Sequence, residues 1–75
     1  MKAKDVLALW GGWDSPDLFT VYETSATGKL IARHDMTGVE FMESPLAQRH
    51  MKRFGSQGKG VDGVWRHYVQ IAADV

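Results

Sequence analysis

Hydrophobic and polar positions change period several times along this 75-residue chain, and each change predicts an element. Val6-Leu7-Ala8-Leu9-Trp10 is a short apolar run stopped by Gly11-Gly12. Five residues fit a buried strand, although Ala and Leu are good helix formers and Asp5 can cap a helix. We read the run as a strand. Trp13-Asp14-Ser15-Pro16-Asp17 follows with turn chemistry, since Asp and Ser bond the local backbone and Pro16 fixes one dihedral. Leu18–Glu23 alternates, with Phe19 and Val21 on one side and Leu18, Thr20 and Tyr22 on the other. Its β-branched and aromatic residues favour a strand. Thr24–Gly28 reads as a loop and Lys29–Asp35 as the second arm of a β-hairpin.

Beyond the hairpin, Val39–Glu43 alternates again and predicts a third meander strand. A helix start competes there, because Thr37 and Glu40 have capping-box spacing. Ser44-Pro45 resembles an N-cap followed by proline at the first helical position. Leu46, Ala47, His50, Met51 and Phe54 then recur at helical spacing, so Pro45–Phe54 reads as a short amphipathic helix ended by Gly55. Gly55–Gly63 reads as a flexible loop, and Val64–Ile71 as a last strand whose Trp65, His67, Val69 and Ile71 share one face. The pattern predicts an α+β domain over residues 1–75. It would be a small antiparallel sheet or partly open barrel of four to five strands, with one short amphipathic helix before the last strand.

Size and composition bound the function. At this length folding buries only about 60–65% of the unfolded chain's surface, so the core is small. The absence of cysteine removes disulfides and thiolate metal sites and suits a reducing, cytoplasmic setting. The amino-terminal residues lack the apolar region and cleavage pattern of a signal peptide. No apolar run approaches the roughly 20 residues that span a bilayer, so no membrane association is expected.

Net charge is zero, yet unevenly spread. Residues 1–43 carry four basic and seven acidic side chains; residues 44–75 carry five basic and two acidic. The stretch Ser44–Gly60 holds Arg49, Lys52, Arg53 and Lys59 with no acid, and ends in Gly55-Ser56-Gln57-Gly58-Lys59-Gly60. Such a cluster attracts acidic partners, although the plainest reading of a charged helix face is a solvated one.

Catalytic and cofactor chemistry finds little support. Each histidine follows an arginine (Arg33-His34, Arg49-His50, Arg66-His67), which disfavours a bound cation, and the three lie on different elements. The rings of His34 and His67 would meet only if their strands paired. The serines fall in turns or caps, none in a nucleophile elbow. Asp14 and Asp17 are accounted for by the turn around Pro16. The glycine-rich stretch departs from a phosphate-binding loop: the residue after Lys59 is Gly60, and a helix is predicted before it, not after it. No enzyme activity, cofactor or metal is expected.

The expectation is therefore a small non-catalytic binding protein that modulates or inhibits a larger protein partner with an acidic surface. Compact cysteine-free chains of this size are common among phage and mobile-element regulators. Its contact residues would be Arg49, Lys52, Arg53 and Lys59, with Trp13 as an exposed anchor, because Trp and Arg dominate interface energetics. The alternative is a nucleic-acid-binding module (DNA or RNA) using the same cations with Arg66 and Tyr68. Self-association is left open by the apolar face of the last strand.

Overall fold

The computed structural model describes residues 1–73. In chain order it contains helix α1 (Ala3–Trp10), strands β1 (Leu18–Thr24) and β2 (Leu30–Thr37), helix α2 (Gly38–Glu43), a 3₁₀ turn (Pro45–Gln48), and strands β3 (Met51–Lys59) and β4 (Trp65–Ala72). The four strands form one open sheet in the order β2-β1-β4-β3. The outer pairs, β1 with β2 and β3 with β4, are antiparallel, whereas the central pair β1 and β4 is parallel. The α+β class holds; the sheet is mixed and unclosed.

The amino-terminal run is a helix, not a strand. The register that decides this begins earlier than the apolar run: Ala3, Val6, Leu7 and Trp10 follow the i, i+3, i+4, i+7 spacing of one helical face. Ala3 and Leu7 are fully buried, while Leu9 lies 80% exposed on the opposite side. Burying a side chain such as Leu7 contributes about 1.5–3 kcal/mol, which anchors a helix of only eight residues. The helix ends where the Gly11 N–H donates to the Leu7 carbonyl.

Residues 38–43 are also helical, so there is no third meander strand. Thr37 and Glu40 complete a capping box: Thr37 Oγ1 accepts from the Glu40 N–H (3.2 Å), and Glu40 Oε1 accepts from the Thr37 N–H (3.1 Å). Phe41 is thereby turned into the core. Pro45 then opens the 3₁₀ turn, and Arg49 is already extended (φ −76°, ψ 154°). The helix expected over 45–54 thus shrinks to four residues, and residues 55–59 of the expected glycine loop are the second half of β3, with 60–64 forming the turn to β4. Pairing with β4 places Met51 opposite Ile71 and Phe54 opposite Val69, burial that a free-standing amphipathic helix would not gain. Register shifts after Met51 and after Ser56 fit the strand to its neighbour, and Gly58 supplies the positive φ (93°) at the second.

All helical elements pack on one face of the sheet. Phe19 and Val21 of β1 and Val69 and Ile71 of β4 point to that face and meet Ala3, Leu7, Phe41 and Ala47 in the core. Trp13, Met36, Met51 and Phe54 pack around it. Among the described residues no element covers the opposite face, which carries Thr20, Tyr22, Tyr68 and Gln70 on its two central strands.

Candidate functional site

The uncovered sheet face is where the strand alternation collects chemistry. Tyr22 on β1 stands opposite Arg33 on β2 and Gln70 on β4. Tyr68 on β4 stands opposite Thr20 on β1 and Gly55 on β3. The two tyrosines are therefore diagonal neighbours on adjacent parallel strands, with Cα atoms roughly 8 Å apart from a strand spacing of about 4.8 Å and a two-residue rise of about 6.6 Å. Both are half-buried. The Tyr68 ring lies directly over Gly55, where a side chain would collide with it.

Cations frame this aromatic pair. Arg33 lies on β2, Arg53 opposite Gln70 on β3, and Arg66 two residues before Tyr68 on β4. Arg53 is exposed and has no hydrogen-bond or ion-pair partner among the described residues. Arg33 meets Asp35 at 3.5 Å, with both side chains more than half exposed. Arg66 makes a two-pronged contact with Asp62 in the β3–β4 turn, at 3.0 and 3.2 Å. That hydrogen bonding, with help from the Val64 N–H, holds the Asp62 carboxyl below the usual carboxylate range and raises the Arg66 guanidinium. Asp35, which also accepts from Thr20 Oγ1 (3.0 Å), is the one carboxylate borne by the strands of this face. The other acids of the first half sit elsewhere: Asp5 on α1, Glu40 and Glu43 on α2, Asp14 and Asp17 in the α1–β1 connection, and Glu23 on β1 but turned to the helical side, where it meets His34. The charge imbalance between the halves of the chain thus becomes partly an imbalance between the two faces of the sheet.

The cationic residues singled out by sequence do not form one helical surface. Arg49 turns to the helical side, where its guanidinium donates to the Ala72 and Ala73 carbonyls and lies 3.8 Å from Glu23. Lys52 bridges back to β1, with Nζ donating to Thr24 Oγ1 (3.1 Å) and to the Ser25 carbonyl (2.8 Å). Lys59 stands opposite Trp65, on the helical side of the sheet. Trp13 is half-buried against the core instead of standing exposed. Arg53, Arg66 and Tyr68 do come together on the open face. Tyr22 and Arg33 join them; their alternation with Val21 and His34 carried that signal once the hairpin register is known.

The histidines are spoken for separately. His34 and His67 sit on β2 and β4 with β1 between them, so their rings do not meet. His34 Nε2 bonds Glu23 Oε2, and His67 Nε2 bonds Asp17 Oδ2, each at 2.7 Å. His67 is only 7% exposed, packed among Trp10, Phe19 and Phe54. Asp17 is therefore more than a turn residue: it ties the connection after α1 to the centre of the sheet. Among the described residues there is no pocket, no cluster of three or more metal-ligating side chains, and no helix long and apolar enough to cross a membrane. The site is a surface, not a cleft. No protein-family model, curated protein or solved structure matches the chain.

Proposed function

We propose that this chain is a non-catalytic binding module whose uncovered sheet face takes single-stranded nucleic acid. The observation that carries the reading is the placement of Tyr22 and Tyr68 on the two central strands of an uncovered sheet, framed by Arg33, Arg53 and Arg66. Unstacked bases present flat π-faces, and stacking on an aromatic side chain is worth about 1–3 kcal/mol per base without demanding a sequence. The phosphates linking two stacked bases need cations beside the rings, where these three arginines sit. A paired duplex hides its base faces, so the surface suits single strands over double strands.

Net neutrality does not oppose this reading, because affinity follows the local field and most acids of the first half lie on the helical side. Fluorescence anisotropy with a labelled single-stranded oligonucleotide tests it. Three phosphate contacts give a log–log salt slope near −2, from about 0.7 per contact on single strands. Tyr22→Ala and Tyr68→Ala each weaken binding by roughly 5- to 150-fold. Absence of binding at about 50 mM salt would remove the reading.

A second reading, a protein partner, draws on a different surface. Leu9, Trp10 and Trp65 are 80%, 41% and 46% exposed. Trp65 shares the helical side of β4 with His67, which Trp10 touches. Exposed tryptophans are favoured interface anchors. Under this reading Trp65→Ala abolishes capture of the partner and leaves oligonucleotide binding unchanged.

A further inference from the structure

The two edges of the sheet are treated very differently. β3 carries two register shifts, glycines at 55 and 58, and lysines at 52 and 59. Its first residues are also covered by the amino terminus, through a Lys2–His50 bridge and a hydrogen bond from the Met51 N–H to the Met1 carbonyl. These are the devices that stop an edge from pairing with another chain. β2 has fewer of them, its charged Arg33 and Asp35 apart. It contains no proline and no lysine, and its single irregularity, at Ile31, leaves Ala32–Thr37 in unbroken register with β1. Its outer edge has no strand partner among the described residues, and Leu30 and Ile31 are 52% and 57% exposed beside it.

We infer that β2 pairs antiparallel with β2 of a second copy of this chain, joining two sheets into one of eight strands. A two-fold axis relating antiparallel edges stands perpendicular to the sheet, so residues on the same face must oppose each other. The axis can centre on any of the four inner positions of the regular stretch, and centring on Met36 opposes no pair of charges. Centring on Arg33 sets arginine against arginine, and centring on Asp35 sets aspartate against aspartate. Centring on His34 sets each Arg33 against the second copy's Asp35, twice over, and carries Ala32 against Met36 and Ile31 against Thr37. Opposite charges directly across a strand pair stabilise it and like charges oppose it, so the charge pattern selects this one register. Each His34 imidazole reaches the axis already held by its own Glu23.

Sedimentation equilibrium on the full chain without nucleic acid tests this inference, with circular dichroism confirming that each variant is folded. The wild type is expected to dimerise reversibly with concentration; a monomer up to about 1 mM overturns the proposal. Arg33→Asp alone and Asp35→Lys alone each oppose like charges across the axis and are expected to be monomeric. Mixing these two variants restores opposite charges at both contacts, so a heterodimer is expected. The Arg33–Asp35 contact within one chain gives no such rescue on mixing. Variants that dimerise as well as the wild type, or a mixture that stays monomeric, would overturn the register.

Discussion

Tyr68 rests on Gly55: a Cβ placed at Gly55 would stand 2.6 Å from ring carbon Cε1 and 2.7 Å from the hydroxyl oxygen. Both residues belong to regular strands, so the contact is fixed by the β3–β4 register and not by a loop. The glycine lets the ring lie flat along the sheet. Because the colliding atoms are the outer end of a side chain at the surface, Gly55→Ala is expected to push the ring aside instead of breaking the strand. The stability change should stay below the roughly 1–3 kcal/mol of core overpacking, while oligonucleotide affinity falls as far as it does in Tyr68→Ala. Denaturant midpoints and anisotropy titrations on the same samples separate the two effects.

Arg66 is held by Asp62, so removing that acid should release a cation to the open face. Asp62→Asn is expected to tighten binding at low salt with the log–log salt slope unchanged, because Arg66 then meets its phosphate without first giving up Asp62. The pair also sets a pH response. The Asp62 carboxyl is held below its ordinary value in the folded chain, chiefly by hydrogen bonding to Arg66. Its contribution to the β3–β4 turn is therefore present above the unfolded value of about 3.9 and lost as pH falls through the lower folded value. A carboxyl NMR titration of Asp62 is expected to show its midpoint below that of a model aspartate.

The basic residues of the second half divide into structural and contact roles, and single substitutions should divide the same way. Arg53→Glu is expected to weaken oligonucleotide binding with the unfolding transition unchanged, since Arg53 is exposed and makes no hydrogen bond or ion pair among the described residues. Arg49→Met is expected to do the opposite. It removes charged donors from the Ala72 and Ala73 carbonyls and leaves Glu23 without its guanidinium neighbour. A cost of about 1.5–3 kcal/mol follows for lost bonds to a charged group, with affinity for nucleic acid unaltered.

Asp17→Ala strips the acceptor from His67, a ring only 7% exposed. An unsatisfied buried group costs about 1–3 kcal/mol, and each kcal/mol lowers Tm by about 4–8 °C in a domain of this size. Thermal unfolding by circular dichroism reads that loss. Asp17→Asn, which retains an acceptor oxygen, is expected to recover part of it.

The hairpin and the last strand were legible because their alternation coincides with pairing: Phe19 and Val21, and Val69 and Ile71, mark the covered face directly in the sequence. The elements that went astray are those whose decisive partner is remote. Leu7 looks like the centre of an apolar strand until Ala3 is counted with it. Val39–Glu43 alternates, but the Thr37–Glu40 box, weighed as the competitor, governs the backbone locally. Leu46, His50 and Phe54 do recur at helical spacing; a β-strand with an early bulge meets β4 instead, and burial of Phe54 outweighs a weak local preference. The site was half visible for the same reason. Residue type pointed to Arg53, Arg66 and Tyr68, but only the strand order places Tyr22 and Arg33 beside them and takes Arg49 and Lys59 to the other side.

The most direct measurement is backbone amide chemical-shift mapping of the isotope-labelled chain titrated with a short single-stranded oligonucleotide. Saturable shifts centred on Tyr22, Arg33, Arg53, Tyr68 and Gln70, with Leu9 and Trp65 unmoved, are the predicted result. Shifts confined to the helical side, or none at saturating oligonucleotide, would contradict the assignment of the uncovered sheet face as the binding surface.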